Sequence, residues 1–201
     1  MIITKNLHLQ DIKRFRVSEG RDLEQGLRLD RNEKVDLWPE DFISKVLVSK
    51  PKSFFSTYPE ISNLYKKIAN FNSIKESQVL ITSGIDGGIQ NLISVLTNAG
   101  DVVGVFSPTY AMYEVYSKIF QVECFQIKYS ENYKLNLNDL DKFFEINPKI
   151  LFVPNPNQPI ESSLDLKELT SLAKRCKEKK CFLVLDEAYH LFGADTGISL
   201  L

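Results

Sequence analysis

Residues 181–189 read CFLVLDEAY: five apolar residues, Cys181 to Leu185, run without alternation into Asp186 and Glu187, with Tyr189 just beyond. A strand with one face in water alternates apolar and polar positions. A strand apolar throughout is covered on both faces, as parallel strands are when helices pack above and below the sheet. Asp186 then stands at the end of a buried strand. Burying it as an unpaired ion would cost several kcal/mol, so a cation or a set of hydrogen-bond donors should face it.

Four similar runs precede this one: QVLIT (78–82), VVGVF (102–106), VECFQI (122–127) and KILFVP (149–154). Helix-period segments alternate with them. Ile61, Leu64, Tyr65, Ile68 and Ala69 fall on one helical face, and Ile85, Ile89, Leu92, Ile93 and Leu96 on another. A further helix is expected over 166–180, with Asp165 as N-cap, Glu168 completing a capping box, and Leu169, Ala173 and Cys176 facing inward. The alternation predicts an α/β fold: a mostly parallel sheet with helices on both faces and right-handed crossovers. Residues 1–40 break the pattern. Their stretch VSEGRDLEQGLRLDRNEKVDLWPE is polar and reads as an N-terminal arm or part of a smaller domain, leaving 41–201 as the main domain.

A chain of 201 residues that is 43% hydrophobic can bury a proper core. Its 25 Lys and Arg against 26 Asp and Glu leave a formal net charge of -1, without the basic field that favours nucleic acid or an anionic membrane. The three cysteines, Cys124, Cys176 and Cys181, are odd in number and lack CxxC spacing, which argues for free thiols in a reducing compartment; His8 and His190 alone do not suggest a His-rich metal site. No apolar run approaches the length of a membrane span, and MIITKNLHLQDIKRF is too broken by polar residues for a signal peptide. The expectation is a soluble cytoplasmic protein.

In an open α/β sheet, ligands gather outside the carboxyl ends of the strands. Four loops there stand out. Ser83, Gly84, Ile85 and Asp86, followed by Gly87 and Gly88, open the helix through Leu96; the free amides of a helix start suit a phosphate, though taken alone the segment, neither GxGxxG nor a Walker A loop, favours a plain turn with an acidic first-turn residue. In Ser107-Pro108-Thr109-Tyr110, Thr109 can cap a helix, and Tyr110 can either stack on a flat cofactor or pack on the next helix. Val153-Pro154-Asn155-Pro156-Asn157-Gln158-Pro159 presents two or three amides, or is an ordinary proline-fixed turn. For Asp186, magnesium beside a nucleotide would require GxxxxGK[ST] upstream, which is absent. A protonated pyridine nitrogen would instead form a charge-assisted hydrogen bond with it and keep the ring able to absorb electrons.

Taken in order, Leu29-Asp30-Arg31-Asn32-Glu33, Tyr58-Pro59-Glu60, Thr82-Ser83-Gly84-Ile85-Asp86, Pro108-Thr109-Tyr110, Asn155-Pro156-Asn157-Gln158-Pro159 and Asp186-Glu187-Ala188-Tyr189 resemble the large domain of fold type I pyridoxal phosphate-dependent aminotransferases, most closely the histidinol-phosphate aminotransferase-like branch. The resemblance runs from about Leu29 to Leu201. It implies pyridoxal 5'-phosphate as cofactor and an amino acid and keto acid, or a phosphorylated ketone, as substrates. It further implies that Ser83 to Asp86 seat the cofactor phosphate, Tyr110 stacks on the ring, Asp186 pairs with the ring nitrogen, and Tyr189 hydrogen-bonds the phenolic oxygen. A tyrosine matching Tyr58 reaches the phosphate of a neighbouring subunit in such enzymes, which implies a homodimer.

Two departures qualify the match. Many relatives carry Asn-Asn-Pro-Thr-Gly where this chain has Asn157-Gln158-Pro159-Ile160-Glu161, so Gln158 stands where an asparagine donates to the phenolic oxygen. A glutamine makes the same bond from one methylene further away if the loop shifts. The Schiff-base lysine of relatives lies a few tens of residues beyond the Asp-Glu-Ala-Tyr strand, whereas the last lysine here is Lys180. The expectation is therefore an N-terminal part of a longer transaminase, with no catalytic residue among those present. The alternatives are a short non-catalytic binding or assembly protein, and a decarboxylase or lyase on the same platform.

Overall fold

A run of apolar residues becomes a strand only where a neighbour pairs with its backbone groups. The computed structural model describes residues 7–9, 12, 32–34, 36–134 and 137–201. Four of the five expected strands form: β1 (Val102–Ser107), β2 (Glu123–Lys128), β3 (Ile150–Pro154) and β4 (Phe182–Asp186). They make one parallel sheet in the order β2-β1-β3-β4, with Val103 opposite Ile150 and Pro154 opposite Asp186. The fifth run, QVLIT, is not a strand. Glu76–Gln78 forms a turn of 3-10 helix, Val79 is extended, and Leu80 is exposed, so local preference stretched the chain without adding it to the described sheet.

The helices are α1 (Phe42–Val48), α2 (Ser62–Asn72), α3 (Gly84–Leu96), α4 (Met112–Ile119), α5 (Leu137–Glu145) and α6 (Leu166–Glu178). Of these, α3 and α4 cover one face of the sheet and α5 and α6 the other, as the alternation predicted. Val103, Val105, Ile150 and Phe152 pack with Ile89 and Ile93 of α3 and Tyr113 of α4. The intervening positions, Phe106, Leu151 and Val153, pack with Phe143 and Phe144 of α5 and Leu172 and Cys176 of α6. Adjacent strand residues thus enter different cores, which is why these runs show no polar alternation. Asp165 and Glu168 form the expected capping box at the start of α6, and Leu169 and Cys176 are buried; Ala173 is half-buried. The α5 segment was not singled out in the sequence, although its Phe143 and Phe144 are among the most buried side chains.

By their contacts the residues group into two units, Arg14–Leu80 and Met1–Lys13 with Ile81–Leu201. The sheet and both cores belong to the second. In the first, α1 buries none of its residues and α2 only Ala69. The α2 face expected to turn inward is therefore only partly covered: Tyr65 and Ile68 are half-buried, and Ile61 and Leu64 are exposed. An amphipathic face is buried only where a second surface meets it, and these two stay about half exposed. Most of the 1–40 arm, including Leu29, Asp30 and Arg31, lies outside the described residues. Among the described residues no helix is long and apolar enough to cross a membrane.

Candidate functional site

From β1 the chain crosses through α4 to β2 on one side, and from β3 through α6 to β4 on the other. The loops leaving β1 and β3 therefore diverge, and a crevice opens at the carboxyl ends of the strands. Ile85, Tyr110, Gln158, Asp186 and Tyr189 all line one cleft there, together with Tyr113. Five of the nine residues singled out from the sequence for cofactor binding are brought together.

Asp186 is nearly buried, at 9% exposure, and two donors of the chain itself meet it. Its Oδ1 accepts the Ala188 N–H at 3.1 Å, and its Oδ2 accepts the Tyr113 hydroxyl at 2.5 Å. Burial pushes the ionisation of the Tyr113 phenol well above its ordinary range, and the negative charge and hydrogen bond of Asp186 push it further, so Tyr113 stays a donor. Sequence reasoning passed over Tyr113.

Tyr110 is 40% exposed; its hydroxyl donates to Asp86 Oδ1 at 2.8 Å, and its ring meets that of Tyr113 edge-on, with centroids 6.1 Å apart. Thr109 does not cap α4. The helix begins later, after Ala111, and the Thr109 hydroxyl donates instead to Asn157 Oδ1 at 2.7 Å. At the start of α3, Gly84 has φ +66, a left-handed conformation that suits glycine, and its N–H donates to the Thr82 carbonyl at 2.8 Å. Ser83 is exposed and makes no side-chain capping bond.

The loop after β3 divides its amides by direction. Asn155 and Asn157, expected as presented amides, are buried at 0% and 1% exposure and are tied into the fold. Asn157 Nδ2 donates to the Pro108 carbonyl at 2.9 Å and the Tyr129 hydroxyl at 3.0 Å. Asn155 Nδ2 donates to the Asp195 carbonyl at 2.9 Å, its Oδ1 accepts the Leu164 N–H at 2.8 Å, and its backbone N–H donates to the Asp186 carbonyl at 2.8 Å. Only Gln158 of the three reaches the cleft. Glu187 is turned elsewhere: it accepts the Gly197 N–H at 2.5 Å and the Thr196 hydroxyl at 2.8 Å, fastening the segment after β4. Tyr58 belongs to the Arg14–Leu80 unit and is fully exposed. Cys124, Cys176 and Cys181 are free, and no group of His, Cys, Asp or Glu among the described residues is arranged to hold a metal.

Comparison with known proteins agrees with this architecture. The family profile of aminotransferase class I and II matches residues 31–199. The histidinol-phosphate aminotransferase of Thermoanaerobacter pseudethanolicus is 26% identical over 200 residues, which cover 98% of this chain and 56% of that protein. The chain spans about half the length of the curated relatives it matches. Among solved structures, the alanine aminotransferase of Pyrococcus furiosus superposes with a TM-score of 0.67 at 22% identity, over 78% of this chain and 42% of that one. The histidinol-phosphate aminotransferase of Sinorhizobium meliloti in complex with pyridoxal 5'-phosphate gives 0.58 at 22% identity, over 63% and 34%. These likenesses establish the fold as that of the fold type I pyridoxal phosphate enzymes, of which this chain covers about 40%. With its parallel sheet and the family profile extending over most of its length, the chain belongs to the aminotransferase class I and II family.

Proposed function

We propose that this chain seats pyridoxal 5'-phosphate for transamination between an amino acid and a keto acid or phosphorylated ketone. The observation that carries the reading is the Asp186 carboxylate, nearly buried in a cleft that also holds a tyrosine ring and a side-chain amide. A carboxylate offers about four acceptor positions, so the donors from Ala188 and Tyr113 leave room for a protonated ring nitrogen. That donor set suits a flat cationic heterocycle. Asp186 pairs with the ring nitrogen, Tyr110 lies on the ring face, and Tyr189 and Gln158 bond the phenolic oxygen. Ser83, Gly84, Ile85 and Asp86 hold the phosphate. Because the Gly84 N–H is engaged by Thr82 and the Asp86 carboxylate would repel a phosphate, the amides of Ile85 and Asp86 are the donors assigned to it. When bound, the cofactor supplies an electron sink for cleavage next to the amino carbon.

The curated relatives are histidinol-phosphate aminotransferases, which supports a phosphorylated substrate and a place in amino acid biosynthesis. Full exposure of Tyr58 supports its reaching a second copy of the chain in a cytoplasmic homodimer. Among the described residues no lysine lines the cleft, so these residues are assigned seating and polarisation of the ring, not the transfer itself.

Titration of the chain with pyridoxal 5'-phosphate, followed by cofactor absorbance and equilibrium dialysis, tests the reading. Asp186→Ala removes one charge-assisted bond and is expected to raise Kd about tenfold or more. An unchanged Kd in that variant would remove the central assignment.

A further inference from the structure

Tyr113 carries a hydroxyl that the packing of its ring does not explain. The side chain is fully buried, its ring lies 5.1 Å from that of Phe152 at 32°, and a phenylalanine would fill the same space. The hydroxyl reaches Asp186 Oδ2 at 2.5 Å, while Ala188 from the segment after β4 holds Oδ1 at 3.1 Å. Two donors on different oxygens, one from α4 and one from beyond β4, resist rotation of the carboxylate plane about its Cβ–Cγ bond. The backbone beneath it is fixed as well, since the Asp186 carbonyl accepts the Asn155 N–H at 2.8 Å.

We propose that Tyr113 is a positioning residue: by holding Asp186 Oδ2 it aims the remaining lone pairs of the carboxylate at the cofactor's ring nitrogen. This rests on the cofactor reading above and deepens it, because it makes the contribution of Tyr113 pass through one atom of the ligand. A residue that only completed the core would affect every ligand of the same shape equally.

The test compares pyridoxal 5'-phosphate with its deaza analogue, which carries carbon in place of the ring nitrogen. Dissociation constants are measured by absorbance titration and dialysis for the wild-type chain and Tyr113→Phe, with circular dichroism confirming that the variant folds. The loss of one charge-assisted hydrogen bond is expected to weaken pyridoxal 5'-phosphate about tenfold and the analogue by less than about twofold. In an Asp186→Asn background the same substitution is expected to add less than about twofold for either ligand, as a coupled pair requires. Site-specific 3-fluorotyrosine at position 113 keeps the ring and the hydroxyl, adds one fluorine beside it, and makes the phenol more acidic. It serves where Tyr113→Phe fails to fold, and is expected to shift the Kd of pyridoxal 5'-phosphate while leaving that of the analogue unchanged. Equal losses for the two ligands, or no loss for either, overturn the role of Tyr113 alone. A wild-type chain that binds neither ligand overturns the cofactor reading and this proposal with it.

Discussion

Asn157 and Gln158 are adjacent amides with different surroundings. Asn157 is buried and joins the loop after β3 to the loop after β1 through Pro108 and Thr109, and to the end of β2 through Tyr129. Gln158 is exposed and lines the cleft. Asn157→Ala strips partners from the Pro108 carbonyl and two hydroxyls and is expected to destabilise the chain by about 2–4 kcal/mol, while Gln158→Ala changes stability by no more than about 0.5 kcal/mol. Urea unfolding of both variants checks this, and equal midpoints would refute it. In the sequence the two amides look alike, because a proline-rich loop reveals that amides lie near the strand ends but not which way each side chain points. The same limit hid Tyr113. Its partner Asp186 is 73 residues away, and no local spacing marks such a pair.

Among the elements, α6 and β1 differ in how much of their structure is local. The capping box of Asp165 and Glu168 lies within one turn and was legible as such. The close approach of α5 to β1 was not. A Cβ built on Gly104 would lie 2.5 Å from ring carbons of Phe143 and 3.1 Å from Leu151 Cδ1, so only a bare backbone lets that helix sit where it does. Gly104→Ala is expected to destabilise the sheet unit by at least about 1–3 kcal/mol through overpacking, seen as a lower urea midpoint. A midpoint equal to wild type would mean that Phe143 moves aside freely. QVLIT shows the converse error. Its apolar, β-branched composition is that of a strand, yet a strand is a property of two segments, and this run is not among the four of the described sheet.

At the scale of the molecule, burial is uneven. All five residues of β3 are buried, whereas α1 buries none and α2 one. Local opening is easiest where few apolar contacts resist it, so amides of α1 and α2 are expected to exchange with deuterium at least tenfold faster than those of β1 and β3. Hydrogen exchange with peptide-level mass spectrometry at neutral pH measures this, and equal protection in both units would contradict it. By itself the sequence determined the α/β class, most of the strands and the α6 cap, because a periodic apolar pattern and a capping box are written within a few neighbouring residues. It also placed the chemistry-bearing loops at the strand ends, since a strand's end is visible where its apolar run stops. Only the tertiary structure decided the order β2-β1-β3-β4, the inward turn of Asn155 and Asn157, and the grip of Tyr113 on Asp186. Those depend on which distant segments pack side by side, and a hydrogen bond forms only when that packing brings donor and acceptor to about 3 Å with the right alignment.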